Sequence, residues 1–306
     1  MTAIAYLGPR GTFSEAALGG MTAAGLIPGR PEVHPLATDS TPAALEAVRD
    51  GRADYACVPI ENSIEGSVLP TLDSLAAGAP LQVFAELTLD VAFSIVVAPG
   101  TRSADVRTVA AFPVAAAQVR RWLREHLPAA EVVPAISNAA AAADVRAGTA
   151  DAGVSTALAA AHYGLATLAE GVVDEPNART RFVLVGPPAA PPARTGADRT
   201  SVVLRLDNVP GALVNALTEV SIRDIDLTRI ESRPTRVELG TYVFFLDWVG
   251  HIEDTAVAEA LTALHRRCAD VRYLGSWPTG SAVGAAPPQL DEAARWLARL
   301  RQGEQA

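Results

Sequence analysis

Across residues 1–187, short apolar runs alternate with stretches of helical spacing, the pattern of an α/β chain. Residues 4–7 read as a strand, and Gly8-Pro9-Arg10-Gly11 turns out of it into a helix that Thr12 and Glu15 open with capping-box spacing. A second helix follows Asp39-Ser40-Thr41-Pro42, with Pro near its first position, and leads into a strand at 54–60. The polar stretch Glu61-Asn62-Ser63-Ile64-Glu65-Gly66-Ser67 comes next and is longer than a simple connection needs. Ligands of open α/β sheets sit beyond the carboxyl ends of strands, so this loop is a pocket candidate. Residues 87–97 are apolar but for one Asp and predict one or two buried strands. Residues 115–127 predict a helix with Arg120, Arg121, Arg124 and Glu125 on its wet face; Gln118 there fits a surface position or a pocket donor. Asn177-Ala178-Arg179-Thr180-Arg181-Phe182 then feeds the apolar run Val183-Leu184-Val185, which Gly186-Pro187-Pro188 stops.

One segment is repeated. Ser40, Ala43, Ala44, Val48, Arg49, Gly51, Ala53 and Asp54 recur at constant offset as Ser137, Ala140, Ala141, Val145, Arg146, Gly148, Ala150 and Asp151. Each copy predicts a helix, a Gly turn and a strand, the second strand ending at Ser155-Thr156. Two similar lobes with a cleft between them follow, about 1–82 with 178–187 and 83–177. The cleft would receive Glu61, Asn62 and Ser63 from one lobe and Ser155 and Thr156 from the other, with Thr180 near the crossing. The free N–H groups after Gly11 and Thr12 could hold a carboxylate beside Arg10.

A Pro-rich linker at 188–198 separates this region from a different pattern: strand 200–206, helix 211–222, strands 227–232 and 241–249, helix 255–268 and strand 271–274. That βαββαβ order predicts an α+β ferredoxin-like domain over 199–277. In the tail, 278–306, Leu290, Ala293, Ala294, Leu297 and Leu300 have helical spacing with Trp296, and the helix is expected to dock within the chain or on a second copy.

Composition narrows the chemistry. The 306 residues are 49% hydrophobic and 19% charged, and 25 basic against 34 acidic residues leave a net charge of −9. A globular protein of this charge is not expected to bind nucleic acid, the lack of a long apolar run argues against membrane, and an anionic ligand needs a local basic pocket. There is no Lys anywhere, which excludes a Schiff-base lysine and a P-loop. Cys57 and Cys268 have no metal or disulfide spacing, and the five His are scattered, so no metal and no cofactor are expected. With no basic leader and no long apolar run, the expected location is cytoplasmic.

Four stretches resemble the prephenate dehydratase family, closely its single-function actinobacterial members: residues 6–14, residues 58–67, Asn177-Ala178-Arg179-Thr180-Arg181-Phe182, and Glu231-Ser232-Arg233-Pro234. With Gly211-Ala212-Leu213 they reach nearly to Trp277. The resemblance implies a two-lobed catalytic region like the type II periplasmic binding proteins, an ACT domain that binds phenylalanine, and a dimer or tetramer. It makes Thr180 the essential hydroxyl, with Glu61, Asn62, Ser63, Arg181 and Phe182 lining the site and Gln118 beside it. It places phenylalanine at Asn208, Pro210, Gly211, Ala212, Leu213 and Glu231 to Pro234. Where the family usually has Ser-His-Pro-Gln, this chain has Ala111-Phe112-Pro113-Val114, so that Ser and His cannot be required here.

Prephenate is a dianion with a C4 hydroxyl, and losing CO2 and water makes its ring aromatic. The protein must hold two carboxylates and help hydroxide leave as water. Arg forks and helix N-termini after Gly11 and Ser63 suit the first task, and Thr180 the second. In a fully extended strand Thr180 and Arg181 would face opposite ways, so the strand is expected to begin at Phe182.

Overall fold

In the computed structural model, which describes residues 1–306 except 30–31, 176, 281–282, 289–290 and 305–306, the serines that open the repeat are both helix N-caps. Ser40 Oγ accepts the Ala43 N–H at 3.1 Å ahead of helix α2, and Ser137 Oγ accepts the Ala140 N–H at 3.0 Å ahead of α6 (Thr41–Arg49 and Asn138–Ala147). Gly51 and Gly148 leave these helices at φ of +69° and +75°, where a side chain would strain the backbone. Asp54 then accepts the Ala3 N–H at 2.8 Å, and Asp151 accepts those of Arg107 and Thr108 at 2.9 Å, each tying its strand to a neighbour. These donors hold the Asp151 carboxyl below the usual range.

The chain divides into two units, residues 1–72 with 87–185 and residues 73–86 with 186–306. The first unit holds both lobes. Its first lobe is built from β1 (Thr2–Leu7), α1 (Phe13–Ala23), β2 (Val33–Thr38), α2, β3 (Tyr55–Asn62), the two-residue β4 (Gly66–Ser67) and the start of α3 (Leu69–Ala76). The strand β5 (Gln82–Asp90) enters it from the second unit, and β11 (Arg179–Gly186) returns from the other lobe. The sheet order is β2-β1-β3-β11-β5, with β1 parallel to β2 and β3, and β11 antiparallel to β3. The second lobe contains β6 (Phe93–Val97), β7 (Thr108–Ala111), α4 (Pro113–Gln118), α5 (Arg120–His126), β8 (Glu131–Pro134), α6, β9 (Ala152–Ser155), α7 (Ala157–Tyr163) and β10 (Ala166–Val172). Its order, β8-β7-β9-β6-β10, repeats the first: three parallel strands, then an antiparallel fourth.

The lobes are joined where the Val91 N–H donates to the Ala178 carbonyl at 2.7 Å, between the two passages of chain. They meet again where Phe13 of α1 packs edge-on against Phe93, 5.7 Å away, in the second lobe's core. Three expectations change here. The helix expected at 115–127 is two helices broken at Val119, although Arg120, Arg121, Arg124 and Glu125 are exposed as expected. The strand expected to stop at residue 60 continues to Asn62, and β11 starts at Arg179, not Phe182.

In the second unit, β12 (Asp198–Arg205), α8 (Ala212–Ser221), β13 (Leu227–Pro234), β14 (Tyr242–Val249), α9 (Thr255–Arg267) and β15 (Asp270–Pro278) form the expected βαββαβ fold. The antiparallel sheet has the order β13-β14-β12-β15. Leu204, Leu246, Trp248, Val220 and Leu264 fill the core between sheet and helices. A buried charge cluster anchors the 82–86 segment of β5. Asp247 takes a bidentate pair from Arg229 at 2.9 Å and the Ser201 hydroxyl at 2.7 Å, Arg199 reaches both Asp247 and Glu86, and Trp277 Nε1 donates to Glu86 at 2.9 Å. The tail helix α10 (Asp291–Arg301) forms, but Trp296, Leu297 and Leu300 stay exposed in the single chain, and Leu290 lies outside the described residues. No helix among the described residues is long and apolar enough to cross a membrane.

Two arginines share Asp247, and its surroundings are dry. Asp247→Asn keeps the shape but leaves the buried Arg229 without its carboxylate, while Arg199 keeps Glu86, and urea unfolding of the full chain should show a loss of roughly 3–5 kcal/mol.

Candidate active site

Asn62 and Thr180 face each other across the β3–β11 ladder, and Asn62 Nδ2 donates to Thr180 Oγ1 at 2.9 Å. The amide cannot turn round. Its Oδ1 already accepts the N–H groups of Ile64 and Glu65, both at 2.9 Å, in the turn that follows the strand. Thr180 therefore receives a hydrogen bond, and no described residue takes its own proton. That proton is available to a ligand oxygen.

Ser63 ties the crossing together. It donates from Oγ to the Asn177 carbonyl at 2.9 Å, accepts the Arg179 N–H at 2.9 Å, and its own N–H meets the Arg179 carbonyl at 2.8 Å. Its hydroxyl is thus spent on backbone. The chain beyond it makes a turn and pairs back onto β3 through β4, so no helix N-terminus stands there, and the carboxylate site expected after Ser63 is absent.

The two flanking guanidiniums differ. Arg181 is buried and bonded to Glu61, with Nη2 at 2.8 Å and Nε at 3.1 Å from the same oxygen. The Glu61 side chain is itself 39% exposed, so Arg181 reaches from the interior to hold a carboxylate at the edge of the strand pair. Arg179 instead pairs in solvent with Asp90 at 2.8 Å. Sequence reading passed over that pair, although Asp90 is the lone acid in an apolar stretch. Phe182, expected to line the site, is fully buried and belongs to the core.

On the facing lobe the expected hydroxyls are also spent. Ser155 donates to the Asn138 carbonyl at 2.5 Å, and Thr156 caps α7 while donating to the Gly11 carbonyl at 2.6 Å. Thr156 is thus a bond between lobes, and neither hydroxyl is available as the substrate contact expected of it. Thr12 caps α1 and donates to the Leu7 carbonyl at 2.9 Å, while Glu15 takes the Gly11 N–H. The Gly11 donor is therefore not free. Arg10 remains largely exposed, 3.5 Å from Glu15, and such a solvated pair is worth at most about 1 kcal/mol, easily exchanged for a ligand carboxylate. Gln118 is buried, and its Oε1 has no hydrogen-bond partner among the described residues. Cys57, within β3, is no nucleophile, because burial pushes its thiol up to about 12.

The residues expected to bind an effector are divided. Asn208, Arg233 and Pro234 line a cavity of about 670 Å³ in the second unit, together with Ala76, Arg236 and Tyr242. Ala212 opens on a separate recess of about 150 Å³. Gly211, at φ +82°, is the N-cap of α8, where Pro210 precedes it and Leu213 lies in the first turn. Glu231 and Ser232 pair with Phe245 and Phe244 in the sheet. Arg233 is already engaged, gripping Asp73 at 2.8 and 3.1 Å while Arg236 bonds the same carboxylate, and these contacts hold Asp73 below the usual range.

Two family models match the chain. The family model for prephenate dehydratase matches residues 4–190, and that for the ACT domain matches 200–266. A prephenate dehydratase of Mycobacterium sp. (strain JLS) is 76% identical, covering 99% of this chain and 97% of its own. Among solved structures, prephenate dehydratase of Arthrobacter aurescens in complex with L-Phe is 40% identical with a TM-score of 0.88, covering 98% of this chain and 100% of its own. GqqA, described as a novel type of quorum quenching acylase, is 32% identical with a TM-score of 0.80, covering 90% and 98%.

Gly11 has φ +91°, and a Cβ there would lie 2.8 Å from that of Ala159 on the facing lobe. Gly11→Ala should destabilise the chain by about 1–3 kcal/mol through strain and overpacking, read from denaturant midpoints.

Proposed function

The chain belongs to the prephenate dehydratase family, and we propose that it converts prephenate to phenylpyruvate, with Thr180 assisting departure of the C4 hydroxyl. The orientation of the Asn62 amide carries this reading. It supplies Thr180 with a donor, so the threonine proton points to whatever oxygen enters the site. In the reaction the bond from the ring to its carboxylate breaks, and CO2 leaves. The electron pair enters the ring as the C4–O bond breaks, and the departing hydroxide takes a proton to become water. A threonine hydroxyl is a weak acid, so Thr180 stabilises the leaving oxygen by hydrogen bonding while solvent supplies the net proton.

Arg10 and the remaining free N–H groups at the start of α1 are the partners we assign to a substrate carboxylate. Glu61 and the buried Arg181 act as a brace on this strand pair, Ser63 as the lock on the crossing, and Gln118 as an acceptor for a substrate donor. An acylase reading, which GqqA raises, finds less support. Amide hydrolysis needs a hydroxyl activated by a base, and Thr180 and Ser63 are bonded to an amide and to backbone groups.

The second unit is read as the regulatory part, with L-phenylalanine as its effector, supported by the ACT match and the L-Phe complex of the Arthrobacter relative. We assign the enzyme to a homo-oligomer, since Val209, Val214, Ile222 and Ile230 of that unit are exposed apolar residues. Its unpaired cysteines suit a reducing cytoplasm.

Purified protein should release phenylpyruvate from prephenate, followed by absorbance. Thr180→Ala should lower kcat by roughly 10²-fold with KM little changed, and an unaltered rate would remove Thr180 from the mechanism. Calorimetry on the intact protein should detect phenylalanine; no heat at millimolar effector would contradict the regulatory reading.

A further inference from the structure

The register of β3 against β11 shifts within the site. Val183 faces Val58 and Phe182 faces Pro59, yet Arg181 faces Glu61 and Thr180 faces Asn62, so Ile60 is an extra residue in β3. Carrying the first register forward would set Ile60 against Arg181 and Glu61 against Thr180. A carboxylate only accepts hydrogen bonds, and one opposite Thr180 would take the proton that the leaving oxygen needs. The bulge therefore decides whether Thr180 donates to a ligand or to the protein.

An extra residue interrupts the ladder and leaves carbonyls to be satisfied elsewhere. The Ile60 carbonyl accepts the Val68 N–H at 3.0 Å, and the Pro59 carbonyl accepts Thr71 Oγ1 at 2.5 Å. Thr71 is fully buried, so water cannot replace its hydroxyl. It sits in the first turn of α3, beside the wholly buried Leu72.

Resting on the dehydratase reading above, we propose that Thr71 is a positioning residue: by bonding the Pro59 carbonyl it holds the bulge that places Asn62, not Glu61, opposite Thr180. Thr71→Val removes the hydroxyl at nearly constant volume. It should lower kcat for prephenate about tenfold or more while KM changes less than about threefold, and Thr71→Ser should restore most of the rate. Because Thr71 acts through Asn62, the Asn62→Ala Thr71→Val double variant should be no slower than Asn62→Ala alone. Turnover of Thr71→Val at the unmodified protein's rate, or losses that multiply in the double variant, would overturn the proposal. So would loss of the folded state in both Thr71→Val and Thr71→Ala, followed by thermal denaturation, since the residue would then serve stability. Unmodified protein that fails to turn over prephenate would instead defeat the dehydratase reading on which this one stands.

Discussion

An amide side chain has a donor end and an acceptor end, and at Asn62 the acceptor end is spent on two backbone N–H groups. Only the donor end can meet Thr180, and a hydroxyl that accepts on one side still has a proton to give. The chemistry assigned to this site follows from that polarity. It needs no unusual acid, only a threonine whose proton has no competing acceptor among the described residues.

The surrounding charges obey the same economy. With no Lys in the chain, every basic side chain is Arg, whose planar fork suits two-pronged pairing with carboxylates. Buried and half-buried arginines are committed: Arg181 to Glu61, Arg229 to Asp247, Arg233 to Asp73. Exposed ones such as Arg10 and Arg179 hold partners that solvent already weakens. Burial thus separates the cations that brace the fold from those that can change partners for a ligand.

Local signals in the sequence carried far. Ser40 and Ser137, with Gly51 and Gly148, disclosed two lobes because caps and left-handed turns leave residue-specific marks, and the second unit's element order could be read from periodicity. The polar stretches around Asn62 and Thr180 likewise marked the site proposed here. What could not be read depends on partners distant in sequence. Whether Thr156 faces a ligand or the Gly11 carbonyl, and whether Phe182 lines a cleft or fills a core, is decided by packing. The bulge at Ile60 is hardest of all, since its support comes from Val68 and Thr71, in a segment with no polar pattern to flag it. The expectation that β11 begins at Phe182 failed for this reason. A bulge in the partner strand lets Thr180 meet Asn62 while β11 stays extended from Arg179.

The most direct test of this account is a crystal structure of the protein with a prephenate analogue that keeps the C4 hydroxyl but cannot lose CO2. The account predicts Thr180 Oγ1 within hydrogen-bond distance of that oxygen, about 2.5–3.0 Å, with Asn62 Nδ2 still donating to Thr180. An analogue whose C4 oxygen is held by another group, with Thr180 turned away or its proton taken by Glu61, would contradict it.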